Sequence, residues 1–244
     1  LSMGQNELQS GLNRGGNVTG NQKMADRFSR YAEGIIDQQC SLFGAISHMP
    51  DTDANGWDRY IEFPPKGFEG PADLHPPPAT AYVQVKSSVT GRRSCRLKLS
   101  NARAAANSKS PWFLVLIIKE GDSEQVYVRH IWKELIEKFL QAVRTADAES
   151  DQLHKRYITV SFSDNDRKDQ AAVVFMREAI DGIGKDYDLT KSAITRAIGY
   201  DGGVAHAQFT AEFGSLEDIR SIFLYGSPLS LKSFEMRDLR FGVP

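Results

Sequence analysis

Gln84 and Lys86 stand two apart in the run AYVQVKSS, residues 81–88. In an extended strand, residues two apart point to the same side, so an amide and an ammonium share one face of an otherwise apolar segment. Upstream, GWDRYIEF (56–63) carries Asp58, and an amphipathic segment before it carries Glu33 on the shoulder of its apolar face. Asp58 offers a carboxylate, Gln84 an amide oxygen and Val85 a backbone carbonyl, the oxygen donors that a hard divalent cation takes. Such a cation lowers the pKa of bound water and neutralises charge on a phosphoryl group. An ammonium beside it, here Lys86, orients that water or steadies the charge that develops in the transition state. The chemistry this set suits is phosphodiester hydrolysis. An amide is a weaker Mg2+ ligand than a carboxylate, and Glu33 is expected to make up the missing charge.

The elements that must position these groups are read from periodicity. Phe28, Tyr31, Ala32, Ile35, Ile36, Cys40 and Phe43 recur at helical spacing and predict an amphipathic helix over 24–42. A short strand at 44–50, the turn DTDANG, a strand at 57–63 and a Pro/Gly loop at 64–78 lead to the strand 80–88. SCRLKLS (94–100) is expected to extend the sheet, and NARAAANS (101–108) to form a short helix. PWFLVLIIKE (111–120) is the most apolar strand and the expected centre. EQVYVRHIW (124–132) follows and runs into a helix with Trp132, Leu135, Ile136, Phe139 and Val143 on one face. DAESDQ (147–152) reads as a linker. Beyond it come a strand at 156–162, helices near 168–183 and 189–198, a strand at 205–213, a helix opened by Ser215 with Asp218 three residues on, and a closing strand in LKSFEMRDLRF.

The set Glu33, Gly56-Trp57-Asp58, Gln84-Val85-Lys86-Ser87 and the apolar PWFLVLII resembles the PD-(D/E)XK nuclease superfamily. It is closest to members in which Gln replaces the second acid, as in Mrr-type restriction enzymes. It is also similar to an uncharacterised bacterial family with helix-Glu, Gly-x-Asp and Gln-x-Lys-Ser, often found at the N-terminus of phage-defence proteins. The resemblance covers about residues 23–145. It implies an α/β, restriction-endonuclease-like mixed sheet flanked by helices and Mg2+-dependent cleavage of DNA, with Mn2+ as a substitute. It implies Asp58, Gln84 and Glu33 as metal ligands, Lys86 as the catalytic lysine, and a role in defence against foreign DNA. The substrate is expected to be double-stranded, and a homodimer or higher homo-oligomer follows because cutting both strands takes two sites.

A second feature points to nucleic acid. No acidic residue lies between Asp73 and Glu120, while the same window holds Lys86, Arg92, Arg93, Arg96, Lys98, Arg103, Lys109 and Lys119. Arg92, Arg93, Arg96, Lys98 and Arg103 are expected to grip phosphates by counterion release, with Arg92 and Arg93 at a hairpin tip. The bland alternative is a solvated loop whose charges pair with acids of the C-terminal half. Glu62, on the face of Asp58, reads as a surface ion-pair residue, and Asp51 and Asp53 as turn residues.

The bulk numbers exclude several classes. The chain has 244 residues, 41% hydrophobic and 25% charged, with net charge −1, so any attraction for polyanions must be local. Two cysteines make neither a disulfide framework nor zinc spacing and suit reduced thiols in the cytoplasm. His48, His75, His130, His154 and His206 show no metal-ligand spacing, and no P-loop, Rossmann fingerprint or nucleophile elbow occurs. No apolar run reaches the roughly 18 residues of a membrane span, so no membrane partner is expected. The expected organisation is a flexible leader (1–22), a nuclease-like domain (23–146) and a smaller α+β accessory region (150–244). The alternative function is a nuclease-like fold that binds nucleic acid or senses a ligand without cutting.

Overall fold

The computed structural model describes residues 18–51, 56–67, 70–121, 123–149, 152–200, 205–226, 228 and 231–243. It is a mixed α/β structure around a five-stranded mixed sheet. In chain order the elements are α1 (Val18–Phe43), β1 (Ile46–His48), β2 (Arg59–Glu62), β3 (Thr80–Ser88), β4 (Ser94–Lys98), α2 (Leu99–Asn107), β5 (Trp112–Glu120), β6 (Ser123–His130) and α3 (Lys133–Ala148). Then come β7 (Tyr157–Ser161), α4 (Ala172–Ile183), α5 (Tyr187–Ala197), β8 (Ala205–Ala211), α6 (Leu216–Tyr225) and β9 (Leu231–Asp238).

The strand order is β1-β2-β3-β5-β6. Only β3 and β5 run parallel, and a parallel pair needs a crossover, which β4 and α2 supply. Residues Trp112 to Ile118 of β5 are all buried, as a continuous apolar strand covered on both faces must be. One face packs against α1 and α4: Phe28, Ala32, Ile36 and Cys40, at four-residue spacing on α1, meet Val83, Val85, Phe113 and Val115. The other packs against α2, α3 and the β4–β7 ribbon, with Leu114 and Leu116 against Ala102, Ala105, Leu135, Phe139 and Val160. Cys40 and Cys95 are free thiols in the two opposite layers. Burial pushes their pKa values up, to about 12 and about 11.

Three expectations change. The segment 94–100 does not extend the main sheet: β4 turns away and pairs with β7, because its inward residues Cys95 and Leu97 are needed to close the α2–α3 layer. Arg92 and Arg93 therefore lie on a passage between two sheets and not at a hairpin tip. The break expected at 147–152 does not separate two cores, since Val160 joins one layer and Val173, Met176, Ile180 and Tyr187 the other. Gln39 of α1 ties this later segment in, donating to the Asp169 carbonyl (2.6 Å) and accepting from the Ala172 N–H (3.0 Å). Finally, α1 begins at Val18, inside the expected leader, whose residues 1–17 lie outside the described residues. Beyond α5, β8 and β9 form a separate antiparallel pair joined through α6, anchored where Arg144 of α3 donates to the Asp238 carbonyl (2.7 Å). Among the described residues, no helix is long and apolar enough to cross a membrane.

Lys191 of α5 is fully buried and donates to the carbonyls of Ala105 (3.0 Å) and Ser110 (2.9 Å), satisfying an orphan acceptor at the end of α2. Burial lowers its pKa to about 7 from 10.5. Between those values the unfolded chain binds the extra proton, so the burial penalty is complete below about pH 7 and fades toward pH 10.5. Wild type is therefore expected to gain stability relative to Lys191→Met as pH rises from 7 to 10. Denaturant unfolding of both proteins across that range checks this, and a constant gap would show that Lys191 keeps its charge in the folded state.

Candidate functional site

Asp58 enters β2 from a turn that only glycine permits. Gly56 has φ +75°, and a Cβ there would come within 2.5 Å of the Asn101 side chain of α2. This close approach sets Trp57 and Asp58 against the middle of β3. The Asp58 N–H donates to the Val83 carbonyl (2.9 Å), and its carboxylate accepts from the Val85 N–H (2.7 Å). Backbone and side chain of Asp58 thus bracket Gln84 just before β2 begins, while β3 runs on.

Gln84 and Lys86 lie in register with Leu114 and Leu116, which point into the α2–α3 layer. Gln84 is 4% exposed. The other buried polar side chains, Gln39, Arg59, Gln125 and Lys191, all bond to protein groups. Among the described residues, Gln84 is the buried polar residue whose side chain has no protein partner. Lys86 is half-buried on the same face, and its ammonium opposes the upward push of burial on the Cys95 thiol.

Glu33 lies on the other side. Arg59, in register with Val83 and 4% exposed, points toward α1. Its guanidinium donates to Glu33 (2.9 Å) and to both Asp37 oxygens (2.7 and 3.0 Å), and the Ser47 hydroxyl also donates to Asp37 (2.7 Å). The nitrogen that holds Glu33 also donates to the Asp58 carbonyl (2.7 Å). The structure therefore gathers Asp58, Gln84 and Lys86 along adjoining strands. It brings Glu33 to the back of Asp58, on the α1 face, neutralising Arg59 rather than sharing the Gln84 face. Glu33 and Asp37, two acids one helical turn apart beside an apolar stripe, were a readable signal for such a partner, as was an Arg directly after Asp58.

Among the described residues, no three His, Cys, Asp or Glu side chains converge as a ready cation site. The set Asp58, Gln84 and the Val85 carbonyl holds one carboxylate and would not form such a triad. Glu62 pairs with His48 (3.2 Å). Asp51 is exposed, and Asp53 lies outside the described residues.

The basic residues divide. Arg93 is paired with Asp164 (2.6 Å) and lies over Tyr127. Arg96 lies 4.4 Å over the Tyr157 ring, on a groove of about 650 Å3 that Lys138, Lys155 and Arg156 also line. Arg92, Lys98 and Arg103 are exposed. Comparisons with protein-family models, with curated proteins and with solved structures find no match.

Burial pushes the Asp37 carboxyl up, but its bonds from Arg59 and Ser47 outweigh this and hold it below the ordinary 3.8. The stability Asp37 contributes is present above that value and lost as pH falls through the lowered one. Asp37→Asn is expected to flatten the acid limb of the stability profile below pH about 4, read by thermal unfolding. Arg59→Met, which strands two carboxylates, is expected to cost about 2–3 kcal/mol, less than for a fully buried pair because Asp37 is 42% exposed.

Proposed function

We propose that this chain is a Mg2+-dependent endonuclease that hydrolyses DNA phosphodiester bonds, on a sheet of the restriction-endonuclease-like kind. The observation that carries the reading is the Gln84 amide: buried, without a protein partner among the described residues, and next to the Asp58 carboxylate. No protein donor occupies the amide oxygen, which stays available to a cation arriving on that face.

The donor set fits a hard cation. Asp58, the Gln84 amide oxygen and the Val85 carbonyl would hold it, and such an ion supplies Lewis-acid polarisation of a phosphoryl group and an acidified water. The chain's own residues do the rest. Lys86, on the Gln84 face, donates to the attacking water or to a phosphoryl oxygen and steadies developing negative charge. The Val85 N–H fixes the Asp58 carboxylate in one orientation. Arg59, with Glu33 and Asp37, holds the backbone of Asp58 from behind, so Glu33 acts on position rather than as a ligand. Arg92, Lys98 and Arg103, exposed and among the basic residues of a window without acids, grip phosphates.

Nicking of a plasmid and cleavage of single-stranded DNA, each in Mg2+ and in EDTA, test the reading. Cleavage is expected with Mg2+ only, and Asp58→Asn and Lys86→Ala are each expected to lower it by about 100-fold or more while circular dichroism stays unchanged. Full cutting by either variant removes the assignment. Binding by wild type without cutting under any divalent cation supports a module that holds nucleic acid without cleaving it. Replacing Lys98 and Arg103 by Gln is expected to weaken binding evenly across sequences and to reduce the salt slope by about 1 per residue. Arg93→Gln is expected to change it less, because Asp164 already neutralises Arg93.

A further inference from the structure

One row of the main sheet is aromatic from edge to centre. His48 of β1 is in register with Tyr60 of β2, Tyr60 with Tyr82 of β3, and Tyr82 with Trp112 of β5. The ring centroids step across at 6.0, 5.3 and 5.4 Å. Trp57 adds a fifth ring, 5.2 Å from Tyr82 and 6.4 Å from Tyr60. Tyr82 is two residues before Gln84 and four before Lys86, so the row lies on their face, one step along the strand.

This face is open where the row reaches the sheet edge. Along β2, Arg59 and Ile61 are buried against the α1 side, whereas Tyr60 and Glu62 on the opposite side are half-exposed. His48 is exposed, and Trp57 and Tyr82 are half-exposed. At the inner end of the row, the Trp112 indole N–H is the buried side-chain polar atom left without a partner among the described residues. An aromatic ladder that only stabilised the sheet would need neither solvent-facing rings nor an orphan donor.

We infer that this row is a stacking platform for unpaired nucleobases, delivering a single strand to the Gln84–Lys86 pair. The inference rests on the nucleic-acid reading of that pair and names its substrate class: an unpaired strand, in place of the duplex expected from the sequence. Flat rings at half exposure suit the π-faces of bases, which stack at about 1–3 kcal/mol each regardless of sequence. The charge around the row is complementary to a strand backbone. Lys86 lies on the same face, and α2, whose Asn101 packs on the Gly56 turn beneath Trp57, follows Lys98 and carries Arg103. In a duplex, bases are stacked on each other and shielded from a flat sheet surface. Only an unpaired segment can use these rings.

The test is binding in EDTA, where no cleavage occurs, read by tryptophan fluorescence and by affinity. The probes are an oligothymidylate, an abasic deoxyribose-phosphate strand of equal length, and a duplex. The expected result is tighter binding of oligothymidylate than of either other probe, with fluorescence quenching that Trp57→Phe diminishes. Tyr60→Leu is expected to weaken oligothymidylate binding by roughly 5- to 100-fold while leaving the abasic strand unaffected, and Tyr60→Phe is expected to restore it. Equal affinity of wild type for the oligothymidylate and abasic strands overturns the inference without any variant, as does tighter binding of the duplex without quenching. A protein that quenches on oligothymidylate but never cuts keeps the platform and loses the nuclease reading. A protein that cuts but binds abasic strand equally well keeps the nuclease reading and loses the platform.

Discussion

The buried guanidinium of Arg59 is the constraint from which the arrangement around the candidate site follows. A cation taken out of water inside an apolar layer is tolerable only when paired and hydrogen-bonded. Arg59 takes both carboxylates of one helical turn of α1, Glu33 and Asp37, and returns a bond to the Asp58 carbonyl. One side chain thus fixes the first helix, the second strand and the backbone of the proposed catalytic aspartate in a single network. The contact is anchored by Ser47 on β1, so the otherwise short edge strand is held to the same hub.

Around that hub, the sheet separates two kinds of work. On the α1 and α4 side, apolar residues fill the layer, and the Arg59 guanidinium is paired with two carboxylates, Glu33 and Asp37. On the α2 and α3 side, the layer is closed over β5 and β6 but thins toward β2 and β1. There Gln84 and Trp112 keep polar atoms without protein partners, among the described residues, and the aromatic row faces solvent. Unsatisfied buried polar groups are few in folded proteins because each is costly. The Trp112 N–H is one such group, and it lies next to Tyr82 on the same face of the sheet as the Gln84 amide.

Much of the architecture was legible in the chain. The four-residue spacing of Phe28, Ala32, Ile36 and Cys40 located α1, and the unbroken apolar run 111–118 identified a strand covered on both faces, although β3 and not β5 stands at the centre of the sheet. The adjacency of Asp58, Gln84 and Lys86 followed from strand periodicity and from the order of two neighbouring strands. The partner of β4 was not legible, because cross-strand pairing with β7 joins residues some sixty positions apart and leaves no local pattern. Nor was the side of the sheet that Glu33 reaches, since a helix shoulder is compatible with either.

What the sequence by itself determined, then, is everything carried by local period and residue type: the elements, their order, and the face shared by Gln84 and Lys86. Only the tertiary structure decided which strands became neighbours, which carboxylates met Arg59, and that His48, Tyr60, Tyr82 and Trp112 fall in one row. The physical reason is that local geometry is set by torsions within a few residues, whereas register across a sheet is set by which distant surfaces bury each other best. Four aromatic side chains on four different strands are unrelated in the chain until that burial lines them up.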